Sequence, residues 1–376
     1  MYCEQTEVNL NGLLRILPSQ CWAQMKLTKV WILTYIPDPA KQRLIVYQPL
    51  EHMPLVGPQH QKNHTSLEYF LLLNLSDGWV FVTILFFVIY CTILIGNLII
   101  FSIIRVEPHL HTPMYFFLSN LSVLDFLYSS VTLPLMLFNC ITGNTKISFR
   151  QCIGQLYLFV SLGGAECILL AVMAYDRFVA ICNPLLYPVV MSVRTCASLA
   201  AASWLSGFLN SILHTVMTAN LIFCNSEQSI NHFYCDVPPL IQVACNPTKT
   251  SKILLFVVSV FLGFTPFLYI VISYVHIIST ITKMKSSEGR WKAFSTCSSH
   301  LIVVTMFYGT ANLNYVGPSG YSLELEQSAS LLYSILTPLV NPVIYCLRNK
   351  EVKAALKKHF RYTDFKGTET SRIIYL

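Results

Sequence analysis

Long apolar runs recur along the chain from about residue 79 onward, with short polar stretches between them. Many of them reach about 20 residues, the length of helix that crosses a bilayer core of about 30 Å. Seven such spans, numbered in order, are predicted at about Trp79–Ile104, Pro113–Phe138, Ile153–Val179, Cys196–Thr218, Ile253–Ile278, Ala293–Val316 and Gln327–Leu347. The pattern predicts an all-α membrane protein, a bundle of seven transmembrane helices.

The two ends of the chain depart from this pattern. Residues 1–62 are rich in proline and contain no apolar run of span length, so we expect a disordered N-terminal extension before a seven-helix domain at 63–347. After span seven, residues 348–376 begin with apolar side chains that recur on one helical face, while lysines cover the other. These apolar residues are Val352, Ala355, Leu356 and Phe360. We expect a short amphipathic eighth helix lying on the lipid of the inner leaflet, followed by a cytoplasmic tail.

Composition and charge narrow the class of protein. Only 11% of the 376 residues are charged and 54% are hydrophobic, whereas soluble domains have about 25% charged residues. Lys and Arg concentrate in the first, third and fifth connections and after span seven. By the positive-inside rule, the N-terminus lies outside the cell and the C-terminus in the cytoplasm. The net charge of +7 forms no basic patch interleaved with aromatic residues, so we expect no nucleic-acid partner.

Two kinds of covalent modification are predicted on the exterior side. Asn63 opens an Asn-His-Thr sequon and is a candidate glycosylation site. Most of the 13 cysteines lie in or beside apolar runs, where a free cysteine packs as a small hydrophobic residue. Four lie in polar stretches or at a span edge: Cys152, Cys224, Cys235 and Cys245. On an exterior face these four would form two disulfides; otherwise they stay free thiols.

Two carboxylic acids lie within the predicted spans. Asp125 falls near the middle of span two and Glu166 near the middle of span three, where a charge costs about 2.5–3.5 kcal/mol. Two carboxylates in one bundle repel unless a cation lies between them or one is protonated. Two interpretations remain open: the pair binds a sodium ion, or a protonated, hydrogen-bonded acid packs the bundle. No other metal or cofactor is expected.

Polar motifs also mark spans three and seven. Asp176-Arg177 is either an anchor at the membrane interface or a switch in which Arg177 leaves Asp176 on activation. In span seven, Pro342 removes one backbone hydrogen bond and bends the helix, and we expect Asn341 to satisfy the freed carbonyl. Tyr345 would then project toward the cytoplasmic core.

Five motifs along the chain resemble those of odorant receptors, which are rhodopsin-like G-protein-coupled receptors. They are LHTPMYFFL at Leu110–Leu118, MAYDRFVAIC at Met173–Cys182, Ser273-Tyr274, KAFSTCSSHL at Lys292–Leu301 and PLVNPVIY at Pro338–Tyr345. The resemblance covers about residues 63–358, and NPLLYP at Asn183–Pro188 is similar to the tetrapod-type, class II branch. Phe178 departs from the pattern, since the family usually has tyrosine after the arginine.

The resemblance implies a sensory receptor for odorants in the plasma membrane. It pairs Cys152 with Cys235 and Cys224 with Cys245, so that the second extracellular loop forms a lid. It also implies that a small-molecule odorant binds among spans three, five, six and seven. Residues at helical spacing there are Phe159, Val160, Gly163, Gly164, Cys167, Tyr308, Asn312 and Tyr315. The two glycines either widen the cavity or let helices pack closely.

The same resemblance implies a signalling partner. Arg177, Tyr274 and Tyr345 would rearrange when span six swings outward. A heterotrimeric G protein of the olfactory stimulatory type would then enter the opening and raise cyclic AMP.

No Lys or Arg lies in the outer half of spans three, five or six, which favours neutral odorants.

Three other classes of membrane protein fit the sequence less well. A transporter would show inverted repeats, and a retinal protein would need a lysine in span seven. A membrane enzyme would carry a motif such as HExxH or GxSxG. None of these is present in the sequence, so we do not expect an enzyme.

Overall fold

The computed structural model describes residues 31–33, 47–49, 68–73, 79–224, 227–315, 323–348 and 351–359. The chain divides into two compact units, Met1–His64 and Thr65–Leu376. In the first unit, strands β1 (Trp31–Leu33) and β2 (Tyr47–Pro49) pair antiparallel. The rest of residues 1–62 lies outside the described residues, and so does Asn63. The expected disorder and the glycosylation site therefore stay predictions.

The second unit is built almost entirely of helices. They are α1 (Trp79–Val106), α2 (Pro113–Thr142), α3 (Phe149–Cys182), α4 (Tyr187–Val190), α5 (Val193–Ala219), α6 (Val237–Gln242), α7 (Lys249–Val258), α8 (Thr265–Lys283), α9 (Ser287–Tyr315), α10 (Leu323–Arg348) and α11 (residues 351–359). A π-helical stretch joins α7 to α8 as one long span. Within the described residues, six helices are long and apolar enough to cross a membrane: α1, α2, α3, α5, α7–α8 and α10.

The remaining span is α9, a helix of 29 residues that is richer in polar side chains. With it, the helices match the seven predicted spans, and α11 is the predicted eighth helix. Val352 and Ala355 on α11 are buried, whereas Lys353, Lys357 and Lys358 are exposed, so this helix is amphipathic. The predicted fold class, an all-α seven-helix membrane bundle with a short amphipathic eighth helix, is confirmed.

Local sequence signals set the ends of these helices. Pro113 stands in the first turn of α2, where a missing N–H is harmless, and Gly143 ends that helix with a left-handed φ of 67°. The α3 helix begins with a capping box, since Ser148 Oγ accepts from Gln151 N while Gln151 Oε1 accepts from Ser148 N. These caps place α3 at a fixed depth in the bundle.

A small β-sheet covers one end of the bundle, here called the sheet end. Strand β3 (Tyr69–Leu71) lies at its centre and pairs antiparallel with β4 (Lys146–Ser148) and parallel with β5 (Glu227–Ser229). Under the sheet, the fully buried Phe70 ring contacts Phe223 edge-on at 5.1 Å between centroids. The segment before α1 and the loops after α2 and α5 thus form one layer.

At the other end of the bundle, here called the polar end, a buried carboxylate fixes α11. Glu107 follows α1 and is 3% exposed. Its carboxylate accepts hydrogen bonds from Lys358 Nζ at 2.9 and 3.2 Å, and His359 Nε2 lies 2.9 Å from its Oε1. The hydrogen bond from Lys358 holds the pKa of Glu107 below its ordinary value. The first connection and the eighth helix are therefore joined through one acid.

Candidate functional site

A cavity of about 240 Å³ opens inside the bundle between α3, α5, the α7–α8 span, α9 and α10. Seven of the eight predicted ligand-contact residues line it: Phe159, Val160, Gly163, Gly164, Cys167, Tyr308 and Asn312. The eighth, Tyr315, belongs to α9, but its side chain lies outside the described part of the chain. The cavity lies among the spans where the family resemblance implies it.

Aromatic rings form the wall of the cavity nearest the sheet end. Phe159 stacks on Tyr128 with centroids 4.8 Å apart and contacts the Tyr234 ring at 4.7 Å. Tyr234 belongs to the loop after α5, and its hydroxyl donates to Ser330 O of α10 at 3.0 Å. The loop therefore closes the cavity through direct ring contact and a hydrogen bond to the last span.

The π-helical stretch Ser259–Phe264 contributes a second wall, and its geometry follows from a proline. Pro266 has no N–H, so the carbonyl of Leu262, four residues earlier, loses its helical partner. The Cys167 thiol donates to that carbonyl at 2.9 Å, while Tyr308 Oη donates to the Cys167 carbonyl at 3.1 Å. Cys167 thus joins α3 to the π-helical stretch and to α9, a role that sequence spacing does not reveal.

The two adjacent glycines of α3, Gly163 and Gly164, lie against different neighbours. A Cβ on Gly163 would lie 2.8 Å from Tyr333 Oη, so its missing side chain admits that ring. A Cβ on Gly164 would lie 3.2 Å from the Gly207 Cα, and one on Gly207 would lie 2.3 Å from the Ser161 carbonyl oxygen. The close-packing interpretation therefore holds for Gly164, where α3 and α5 touch backbone to backbone. Both glycines also border the cavity.

Two disulfides hold the loop that closes the cavity. Cys152 in the first turn of α3 is bonded to Cys235, and Cys224 is bonded to Cys245 within the loop. These are the two pairs that the family resemblance implies. Between them lies His232, whose burial lowers its pKa to about 4. Its Nδ1 lies 2.8 Å from the carbonyl oxygen of Tyr234, and both residues are buried.

The polar residues of spans one, two and seven meet in the middle of the bundle. Asn341 Nδ2 donates to Asp125 Oδ2 at 2.9 Å. The carbonyl freed by Pro342 is that of Pro338, and it accepts from Asn97 Nδ2 at 3.2 Å. The expectation that Asn341 satisfies this carbonyl is therefore wrong. Asn97 reaches it because Gly96 leaves room for α10: a Cβ there would lie 2.9 Å from Pro342 Cβ.

The two intramembrane acids are buried together. Asp125 and Glu166 are 0% and 1% exposed and lie close enough to interact electrostatically. Asp125 Oδ1 and Glu166 Oε1 are buried without a hydrogen-bond partner among the described residues. Tyr345 is also buried, and in the same part of the chain its hydroxyl has none. Three oxygens without partners therefore lie in the core of the membrane domain.

At the polar end, Asp176 is held by two neighbours. Arg177 Nε donates to Asp176 Oδ2 at 2.8 Å, and Tyr187 Oη of α4 donates to Oδ1 at 2.8 Å. Sequence reasoning did not identify Tyr187. Phe178, which stands where the family usually has tyrosine, contacts the His276 ring, with centroids 6.1 Å apart. The acid is therefore fully paired while the arginine remains 15% exposed.

The tyrosine predicted in span five also has a partner. The Tyr274 hydroxyl and His300 Nδ1 of α9 lie 2.7 Å apart, and the two rings stack with centroids at 5.7 Å. His300, which stands alone in the sequence, thus joins α9 to α8. Three direct contacts join the predicted switch residues to their partners: Asp176–Arg177, Tyr274–His300 and Asn341–Asp125. Tyr274, Tyr345 and Arg177 also lie close enough to interact electrostatically.

A seven-helix bundle with an interior cavity, a disulfide-braced loop over one end and an Asp–Arg pair at the other defines the class of rhodopsin-like G-protein-coupled receptors. Residues 86–362 match the sequence profile of a family described as olfactory receptor. Mouse olfactory receptor 5AP2 is 48% identical over 303 residues, covering 79% of this chain and 95% of the mouse protein. Human olfactory receptor 5AP2 is 47% identical over 312 residues, covering 81% of this chain and 98% of the human protein. The dog olfactory receptor-like protein OLF3 is 45% identical over 300 residues, covering 79% and 94%.

The chain belongs to the olfactory receptor family. It is an odorant receptor, a multi-pass membrane protein of a family that couples to G proteins and is not enzymatic. The match begins after residue 85, so it does not extend to residues 1–62.

Proposed function

We propose that this receptor binds small, neutral organic odorants in the bundle cavity and activates a stimulatory G protein that raises cyclic AMP. The observation that carries the proposal is the lining of the cavity. None of the described residues that line it is Asp, Glu, Lys or Arg, and most are aromatic or aliphatic. A charged ligand would lose its hydration there without gaining a counter-charge, whereas a neutral molecule loses little.

The sheet end is proposed to face the exterior and the polar end the cytoplasm. Both disulfides lie at the sheet end, and disulfides persist on the oxidising side of a membrane. Lysines and arginines concentrate at the other end, on α11 and around the connection between α8 and α9, where they are Lys283, Lys285, Arg290 and Lys292. Covalent chemistry and charge therefore support the same orientation in the plasma membrane.

The proposed mechanism is a shift between two populations of the bundle. An odorant in the cavity contacts α3, the α7–α8 span and α9, so it can favour an arrangement in which α9 has moved outward. That movement would separate Tyr274 from His300 and free Arg177 from Asp176. The opening at the polar end would then admit the G protein.

A sodium ion bound by Asp125 and Glu166 remains part of the proposal. The buried, unpartnered oxygens of both acids are hard anionic donors, and Asn341 beside Asp125 adds a polar side chain. A bound sodium ion, with its single positive charge, would balance one of the two carboxylates and reduce their mutual repulsion. If so, replacing sodium with choline in the assay medium should raise the basal signal, and Asp125→Asn should remove that dependence. A protonated acid predicts no response to sodium.

A cyclic-AMP reporter assay tests the proposed function. Cells that display the receptor should respond to at least some neutral odorants of a broad panel. Arg177→Ala should abolish the response at equal surface expression, because it removes the group released on activation. Arg194→Ala is the matched control, since this exposed arginine of α5 makes no contact with Asp176. An odorant-gated current that needs no G protein would overturn the proposal.

A further inference from the structure

Most polar side chains around the cavity already have partners inside the protein. The Cys167 thiol donates to Leu262 O, and the Tyr308 hydroxyl donates to the Cys167 carbonyl. Asn312 Nδ2 donates to the Tyr308 carbonyl at 2.7 Å. Tyr333 shares a hydrogen bond with Tyr128. Each of these groups keeps at least one polar atom engaged within the protein.

Two polar side chains on α5 differ from all of these. Asn210 and His214 both line the cavity, and their spacing of four residues puts them on one face of the helix. Neither makes a hydrogen bond within the part of the chain that the structure describes, although His214 is only 5% exposed. Asn210 Nδ2 lies 3.7 Å from the position of a Cβ on Gly164, so the glycine leaves its amide a path to the cavity.

An unpaired polar group is unfavourable in such a place. A buried donor or acceptor without a partner costs about 1–3 kcal/mol, and water is scarce within a membrane bundle. Two unpaired side chains one helical turn apart, His214 buried and Asn210 half-buried, line the same apolar cavity. They are accounted for if the molecule that fills the cavity supplies their partner. The amide of Asn210 offers a donor and an acceptor, and a neutral imidazole does the same.

We propose that Asn210 and His214 bind the oxygen of an oxygenated odorant, a ketone or an alcohol, and so select against the matching hydrocarbon. A carbonyl oxygen can accept from both side chains, and a hydroxyl can accept from one and donate to the other. The carbon skeleton then lies against the aromatic wall that includes Phe159, Phe267 and Phe307. This inference rests on the proposed function, because it names the chemistry of the ligand in the same cavity.

The test uses matched sets of compounds that share a carbon skeleton, each comprising a hydrocarbon, a ketone and an alcohol. Linear, branched and cyclic skeletons are assayed on the full-length receptor with the cyclic-AMP reporter. For an active skeleton, the oxygenated members should be at least about tenfold more potent than the hydrocarbon, the ratio that one hydrogen bond supports. The relative potency of the ketone and the alcohol shows whether a carbonyl or a hydroxyl oxygen binds better.

Substitutions then assign the effect to the two side chains. Asn210→Leu and His214→Phe should each raise the half-maximal concentration of the oxygenated members about tenfold and leave the hydrocarbon unchanged. His214→Gln keeps a donor and an acceptor and should restore part of the potency. His276→Phe is the matched control: this exposed histidine of α8 does not line the cavity, and all potencies should stay as in the wild type. Surface display is measured for every variant, and Asn210→Leu carries the loss-of-potency test if His214→Phe is retained in the cell.

The outcomes separate this inference from the proposed function. Equal potency of hydrocarbon and oxygenated members overturns the inference and leaves the odorant receptor intact. So does an equal loss for every compound in the variants, because it shows that the side chains act only in packing. A displayed receptor that is silent to the whole panel overturns both.

Discussion

The two ends of this receptor are held together by different kinds of interaction. At the sheet end, two disulfides, a three-stranded sheet and a buried aromatic cluster fix the loops to α3. At the polar end, the contacts between elements include pairs such as Asp176–Arg177, Tyr274–His300 and Glu107–Lys358. Covalent bonds and ring packing resist movement, whereas single ion pairs and hydrogen bonds exchange with water or with a new partner at little cost.

This difference shows how one bundle can both hold a ligand and respond to it. The sheet end is held by disulfides and ring contacts, so ligand binding does not have to supply the free energy of ordering the loop over the cavity. The polar end, which we propose meets the G protein, contains contacts worth about 1 kcal/mol each, which a ligand of modest affinity can shift.

Loss of the disulfide between α3 and the loop should have the largest effect. The cysteines of Cys152–Cys235 are 83 residues apart in sequence and those of Cys224–Cys245 are 21 apart. Loop-closure entropy predicts losses of about 4.5 and about 3.3 kcal/mol for the two Cys→Ser pairs. Thermal unfolding of purified receptor in detergent should show that order, with Cys91→Ser, a free cysteine, as the control. A larger effect of the second pair would mean that the sheet end is not held chiefly through α3.

Acidification should weaken the sheet end through His232. Its folded pKa of about 4 lies below the ordinary value of 6.5, because burial disfavours the charged ring. The unfolded chain therefore binds more protons between these two values. Stability is fully present above pH 6.5 and falls by up to about 3 kcal/mol as the pH drops to 4.

Unfolding of the wild type and of His232→Gln across this pH range measures the effect. The variant should lose the part of the pH dependence that belongs to the histidine. Parallel curves for the two proteins would contradict the prediction, since other titrating groups are common to both.

At the polar end, Tyr187→Phe should raise the basal signal. The change removes the hydrogen bond to Asp176 Oδ1, and a bond to a charged group is worth about 1.5 kcal/mol. The equilibrium between the resting and active states then shifts by up to about tenfold toward the active state, which basal cyclic AMP measures. Tyr175→Phe is the control, because it removes a neighbouring hydroxyl that is not bonded to Asp176. An unchanged basal signal would mean that Arg177 alone holds the acid.

Glu107→Gln should have the smallest effect. Lys358 is 71% exposed, so its ion pair with Glu107 is screened by water and contributes little to global stability. The change should appear locally, as faster amide exchange in residues 351–359 with an unchanged melting temperature. Because the pKa of Glu107 is held below its ordinary value of 4.5, exchange in α11 should also rise once the pH falls below that value. Glu288→Gln, at the start of α9, is the control.

The fold could be predicted largely from the sequence, because long apolar runs admit few structures in a membrane. The break between α7 and α8 was not predicted. Its cause is local, since Pro266 frees the Leu262 carbonyl, but the partner that stabilises the break is the Cys167 thiol on α3. A contact between residues so far apart in sequence depends on how the helices pack.

The candidate site shows the same limit. The spacing of Phe159, Gly163 and Cys167 identified one wall of the cavity, because helical periodicity places them on one face. It did not identify Asn210 and His214, whose pattern on α5 differs little from that of a packed helix. The partner of Asn341 was predicted wrongly, since the choice between Asp125 and a backbone carbonyl depends on the approach of α1 at Gly96.

The position of β3 sets an order for biosynthesis. Strand Tyr69–Leu71 is translated before any helix of the bundle, yet its parallel neighbour Glu227–Ser229 emerges only after α1 to α5 have been made. The first strand therefore stays unpaired with β5 until four spans are inserted and the loop after α5 lies on the same side of the membrane. Such non-local pairing is slow to form and leaves strand edges exposed in the meantime. Closure of this sheet is thus a late checkpoint, one that a receptor with a missing or inverted span would fail.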